Sequence, residues 1–186
     1  MKEGKRALGD KLVLFIAHGF GAGLIPFAPG TFGTLAGYGW IYLLLLFECK
    51  WIYLAGIVVG FFAAVWIGGR AEKILDAKDP GSIVIDEVAA LPLAFLPPVF
   101  LNALGARTPA FGSYFSHGEL NASTVVLPFL LFRLFDILKP LGINGLQKLP
   151  GGWGLVTDDF LAALYSAALL FFYSWVMGVG EVRAFR

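Results

Sequence analysis

An all-α, polytopic membrane helical bundle of about five spans, opened by an N-terminal interfacial or re-entrant segment, is the fold class this sequence predicts. Three observations predict it. The 186 residues are 58% hydrophobic and 15% charged, against about 45–50% and about 25% in soluble domains. Two long stretches, Trp51–Gly69 and Phe160–Val179, carry no charge. The other apolar stretches are broken by Gly and Pro, which membrane-depth backbone tolerates only where protein or a watery cavity covers it. The length suits one domain, residues 1–186.

The elements follow in chain order. Met1–Lys11 is basic and precedes a short apolar run, which superficially resembles a signal peptide. The run ends before His18 without an A-x-A site, so retention is expected. Leu12–Pro29 is apolar but rich in Gly and Pro, and reads as an interfacial helix followed by a re-entrant loop. The five spans are then about Thr34–Phe47, Trp51–Gly69, Ile83–Leu104 (broken by Pro92, Pro97 and Pro98), Ser123–Leu138 and Phe160–Val179. A straight span needs about 20 residues, so the second and fifth are long enough and the others are short or interrupted.

Threading these spans from side X, which holds the N-terminus, puts Arg70–Ser82 and Pro140–Asp159 on X and Asn102–Asn121 on Y. Ten of the 14 Lys and Arg residues fall on X and four on Y. Positive charge concentrates on the cytoplasmic side, so X is the cytoplasm. The same threading gathers Asp79, Asp86, Glu87, Asp136, Asp158 and Asp159 at that surface, six of the 13 acids in the chain.

Net charge is +1 and there is no basic stripe, so nothing suggests a nucleic-acid partner. A single cysteine, Cys49, and two histidines, His18 and His117, exclude an internal disulfide and a His/Cys zinc site. His18 reads as a packed or interfacial histidine. Cys49 lacks the arginine of a phosphatase loop, and neither D-x-D-x-T nor D-G-x-x-A-R occurs.

Four stretches carry candidate chemistry. Asp86-Glu87 opens the third span. Two readings stand: carboxylates at a helix N-terminus favoured by its dipole, and oxygen ligands for a hard cation such as Mg2+. Asp79 either joins them or ends the linker. Asp158-Asp159 repeats the pattern at the start of the fifth span, with the same two readings. Such close acids repel unless a cation lies between them. Arg133 and Asp136, at i and i+3, form an intrahelical pair or a functional pair near the span's cytoplasmic end, where Arg133 can grip phosphate and Lys139 adds a point charge. Finally, Thr31 and Gly33 in Ala28–Thr34 can offer hydroxyl and backbone N–H groups to an anion, although close packing also explains the glycines.

PFAPGTFGT, DPGSIVIDE, FRLFDILKP and GGWGLVTDD occur in this order. Together they resemble the phosphatidylglycerophosphatase A family, from about Gly19 to Ser166. The resemblance implies a Mg2+-dependent enzyme of the bacterial inner membrane, with its site facing the cytoplasm, that converts phosphatidylglycerophosphate to phosphatidylglycerol and phosphate. It implies functional positions at Asp79, Asp86, Glu87, Arg133, Asp136, Lys139, Asp158 and Asp159. The expected roles are metal ligands among Asp79, Asp86, Glu87, Asp136, Asp158 and Asp159 and catalytic groups at Asp86, Arg133 and Lys139, with substrate contacts from Thr31, Gly33, Ser82, Arg133 and Lys139. The competing class is a membrane cation transport or binding protein built on the clustered acids. Acids on one face and no internal repeat weigh against it. No oligomeric state is expected from the sequence.

Overall fold

The computed structural model describes residues 7–97, 99, 122–140 and 142–176. The expected loop Asn102–Asn121, the far ends of the third and fifth spans, and Lys2, Lys5, Arg6, Arg107, His117, Arg183 and Arg186 lie outside the described residues. Among those described, the regular structure is all helical: α1 Leu8–Ala17, a 3-10 turn Gly19–Leu24, α2 Pro29–Leu45, α3 Lys50–Leu75, α4 Ile85–Ala94, α5 Ala122–Leu138, α6 Ile143–Leu146 and α7 Gly152–Val176.

α4 is the central element. Every residue from Ile83 to Pro92 is buried, and the helix packs against α2, α3, α5 and α7. That surrounding explains a helix of only ten residues, about 15 Å long: its partner is protein on all sides. Leu91, fully buried, joins Ile41 of α2, Ile57 of α3, Phe132 of α5 and Ala162 of α7 in one apolar cluster. The Tyr53 hydroxyl of α3 donates to the carbonyl of Pro92 at 2.9 Å, tying α3 to α4 inside this core.

α3 turns small residues inward and large apolar ones outward. The buried stripe of α3 is mostly small, with Gly56, Gly60, Ala64, Gly68 and Ala71, while Trp51, Val58, Val59, Phe62 and Trp66 are exposed. Small residues four apart let helices approach closely in a membrane, where apolar surface gains nothing by leaving lipid. On α5, Val126, Leu130, Leu134 and Ile137 point outward, while Arg133 and Asp136 keep only 17% and 12% of their side chains exposed. Among the described residues, two helices, α3 and Gly152–Tyr173 of α7, are long and apolar enough to cross a membrane. At 17 residues each, α2 and α5 lie at the lower end of the spanning range of about 17–25.

Several expected boundaries move. α2 begins at Pro29, five residues before the expected Thr34, because proline's fixed φ suits the first helical position. Gly30, Thr31 and Gly33 are therefore in the helix instead of in a loop before it. α7 begins at Gly152, eight residues before the expected Phe160. Gly152, Trp153 and Gly154 are helical after Gly151 turns the chain at positive φ, and Gly152 lies against the Val65 backbone, where a Cβ would collide with the Val65 carbonyl. Asp158 and Asp159 thus stand in the second turn of α7, too far along to cap its N-terminus.

Candidate active site

Four helix ends and the linker after α3 meet around one cavity. The N-termini of α2, α4 and α7 approach it, as does the C-terminus of α5. Its volume is about 250 Å³. α2 contributes Pro29 and Gly30, the linker after α3 contributes Asp79, Gly81 and Ile83, and α4 contributes Asp86 and Glu87. α5 and its exit contribute Arg133, Asp136 and Lys139, and α7 contributes Leu155, Asp158 and Asp159. The three helix N-termini present their positive dipole ends to it, which favours carboxylates and bound anions.

The linker is pinned where it turns into α4. The Ile83 N–H donates to the Pro80 carbonyl at 2.8 Å, and the Val84 N–H donates to the Ala17 carbonyl at the end of α1 at 2.9 Å. Val84 in turn packs against Gly33 of α2, where an added Cβ would lie 2.5 Å from the Val84 Cβ. This contact brings the first turns of α2 and α4 together and sets Gly30 beside Glu87.

The eight charged residues singled out in the sequence, Asp79, Asp86, Glu87, Arg133, Asp136, Lys139, Asp158 and Asp159, all line the cavity. Thr31, Gly33 and Ser82 do not. Gly33 is taken up by Val84, and the Ser82 backbone packs against Gly23. Pro29 and Gly30 hold the wall positions on α2 instead. Gln147, just beyond α6, went unrecognised in the sequence. Its side-chain amide donates to Asp158 Oδ2 at 2.9 Å. An isolated glutamine in a polar loop carries no sequence signal for such a contact.

Six carboxylates face two cations here. Arg133 Nη1 lies 2.7 Å from Asp136 Oδ2 and 3.6 Å from Glu87 Oε1. Lys139 Nζ donates to Asp158 Oδ2 at 2.6 Å. Burial works against the Lys139 ammonium, but its hydrogen bond to Asp158 and the surrounding acids outweigh that and hold its pKa above the ordinary value. Asp79 sits at the mouth on the linker, where withdrawal from water and then the charge of Asp158 push its carboxyl up.

The residual negative charge is concentrated. Asp86, Glu87 and Asp159 are buried, and each offers an oxygen within 4.8 Å of the others. Asp86 Oδ1, Glu87 Oε2 and Asp159 Oδ2 have no hydrogen-bond partner. Buried, unpaired carboxylate oxygens are costly, and this all-oxygen set suits a hard divalent cation. The residues present fit a metal ion.

A family model described as phosphatidylglycerophosphatase A matches residues 15–174. The chain belongs to the phosphatidylglycerophosphatase A family. The family's enzymes are phosphatases, and so is this member. Among its relatives, the phosphatidylglycerophosphatase A of Haemophilus influenzae is 35% identical over 161 residues, 84% of this chain and 85% of that protein. The phosphatidylglycerophosphatase A of Escherichia coli is 29% identical over 167 residues, 88% of this chain and 86% of that protein. A Bacteroides thetaiotaomicron protein with the provisional name phosphatidylinositol-3-phosphatase is 35% identical over 171 residues, 90% of this chain and 96% of its own length. No solved structure matches the chain.

Proposed function

We propose that this family member is a Mg2+-dependent lipid phosphatase that hydrolyses phosphatidylglycerophosphate to phosphatidylglycerol and inorganic phosphate in phospholipid biosynthesis. The observation that carries the reading is the cavity, which three buried acids with unpaired oxygens line together with Arg133 and Lys139. Asp86, Glu87 and Asp159 would hold the ion, with Asp136 and Asp79 beside them. A Mg2+ ion bound there supplies charge neutralisation for the phosphate oxygens and lowers the pKa of a water. Arg133, steadied by Asp136 and Glu87, presents its guanidinium to the phosphate. Lys139 offers a point charge to the transferred group and the leaving oxygen. Gly30 keeps the wall on α2 free of a side chain, so that Glu87 and the Arg133 guanidinium can lie against it.

The proposed setting is the bacterial inner membrane, with residues 1–186 as one multi-pass domain of about five spans and α1 with the 3-10 turn as its interfacial or re-entrant segment. Supporting this are the apolar outer faces of α3, α5 and α7, the exposed Leu8, Leu12 and Phe15 of α1, and the excess of Lys and Arg on the cavity side of the expected threading, which suits a cytoplasmic face. Membrane lipids then surround the bundle, and the lipid substrate reaches the cavity with its tails beside the helices. A second reading, a phosphatase for phosphatidylinositol 3-phosphate, is favoured by the name and near-complete coverage of the Bacteroides relative.

Phosphate release by purified protein in detergent micelles tests both. Phosphatidylglycerophosphate is expected to be hydrolysed with Mg2+, at least about tenfold faster than phosphatidylinositol 3-phosphate, and not at all with EDTA. The opposite preference would establish the second reading. No release from either lipid by folded protein would leave the acids to be explained as a cation-transport site.

A further inference from the structure

Asp158 differs from the other buried acids. Its Oδ2 accepts two hydrogen bonds, from Lys139 Nζ at 2.6 Å and from Gln147 Nε2 at 2.9 Å. Its residue is 3% exposed, and its Oδ1 has no hydrogen-bond partner. The three acids whose oxygens cluster for a cation are Asp86, Glu87 and Asp159, without Asp158. An oxygen already shared by an ammonium and an amide is a poor metal ligand, because binding an ion would require both donors to leave.

Lys139 is also aimed by its backbone. It follows the last residue of α5 with φ +45°, in the left-handed region. A non-glycine residue occupies that region at a cost, and such outliers persist where surrounding structure over-determines them. Pro140 comes next and disfavours continuation of the right-handed helix at Lys139. The Lys139 N–H still donates to the Phe135 carbonyl at 2.8 Å, closing the helix end. The side chain is thereby turned from α5 towards α7, where Asp158 receives it.

Gln147 supplies the second hold. It follows α6, a single turn joined to α5 through Gly142, and the loop after it packs on α7 so closely that a Cβ on Gly154 would lie 2.5 Å from the Leu149 carbonyl. We infer that Gln147 is a positioning residue: it fixes Asp158 outside the cation set, and Asp158 holds the Lys139 ammonium over the place of the phosphate. The inference rests on the phosphatase reading for its ligand, a phosphate group, and goes beyond it by assigning Asp158 to the lysine instead of to the metal. It gives the cavity two halves, one for the cation and one for the anion.

Three variants in detergent test it: Gln147→Leu and Gln147→Glu, which remove the donor, and Gln147→Lys, which keeps one. Each is titrated with Mn2+ followed by paramagnetic resonance, and with inorganic phosphate in the presence of Mn2+ by calorimetry. Turnover of phosphatidylglycerophosphate is measured beside them. The donor-less variants are expected to bind phosphate about tenfold more weakly and to lose about tenfold in kcat/KM, with Mn2+ affinity unchanged and Gln147→Lys restoring most of the loss. Phosphate affinity unchanged in Gln147→Leu would overturn the inference. So would weakened Mn2+ binding, which would return Asp158 to the metal, or equal loss in all three variants, which would make Gln147 merely structural. Absence of phosphate binding by the wild type would overturn it too. If the wild type binds phosphate but does not turn over the lipid, the substrate reading fails alone, and the phosphate and Mn2+ titrations still decide the role of Gln147.

Discussion

Asp86-Glu87 and Asp158-Asp159 look alike in the sequence and differ in the fold. The first pair lies in the opening turn of the central helix, and both members face the same unpaired cluster. The second pair is divided: Asp159 joins that cluster, while Asp158, one residue earlier, is satisfied on one oxygen by Lys139 and Gln147. The lesson is that a carboxylate's role is set by the donors around it. Adjacent residues on a helix point about 100° apart, enough to put one acid with a metal and the other with a lysine.

The largest effect should come from the undivided pair. Asp86→Asn removes charge from the centre of the cation set, and phosphate release is expected to fall by about 10²–10³-fold, with Mn2+ binding weakened in parallel. Wild-type turnover in this variant would break the comparison at its first term.

Asp158→Asn probes the divided pair. It takes the negative partner from Lys139 and leaves the three clustered acids in place. Turnover is expected to fall by about 10–100-fold while Mn2+ affinity stays the same. A metal titration that shifts as far as in Asp86→Asn would make the two pairs equivalent after all.

Gly30→Ala tests the wall shared by both halves. A methyl group there would run into Glu87 Oε1 and come within 3.1 Å of both Arg133 terminal nitrogens. Displacing them should cost about tenfold in activity. Stability should not fall with it, because alanine is the better helix former by about 0.5–1 kcal/mol. Parallel loss of activity and melting temperature would show general damage instead of local crowding.

Much of this was legible in the sequence, and for identifiable reasons. The charged site residues stand out because ionisable groups are rare in apolar segments and expensive there, so Arg133 and Asp136 announced themselves within α5. Chain threading then brought the acids to one end. Helix starts were harder to read. Gly-rich runs such as GGWG look like loops because glycine disfavours helix, yet Gly152 opens α7, and glycine is needed there because the Val65 backbone lies too close for a Cβ. Thr31 and Gly33 were expected at the substrate on loop chemistry, and the helix that absorbs them turns Gly33 to Val84. Gln147 was invisible because its meaning lies in a contact across the fold. Ala28, Asp79 and Lys139 share a subtler mark: each has positive φ, each precedes a proline, and each sits at or beside the cavity.

The smallest effect carries the most informative sign. In metal-free protein, Asp86, Glu87 and Asp159 crowd buried negative charge with unpaired oxygens, a net cost to folding. Asp159→Asn relieves that repulsion, so the variant is expected to be more stable than wild type in EDTA by about 1–2 kcal/mol. Mg2+ should reverse the order, since an ion at a hundred times its Kd stabilises the wild type by about 2.7 kcal/mol and the weakened variant by less. Asp158→Asn should do the opposite without metal: it takes the charge from the Lys139 contact and lowers the melting temperature. Thermal unfolding of the three proteins in detergent, with EDTA and then with Mg2+, reads these signs directly. If both asparagine variants shift the same way in EDTA, the two neighbouring acids share one environment, and the division between a cation half and an anion half is lost.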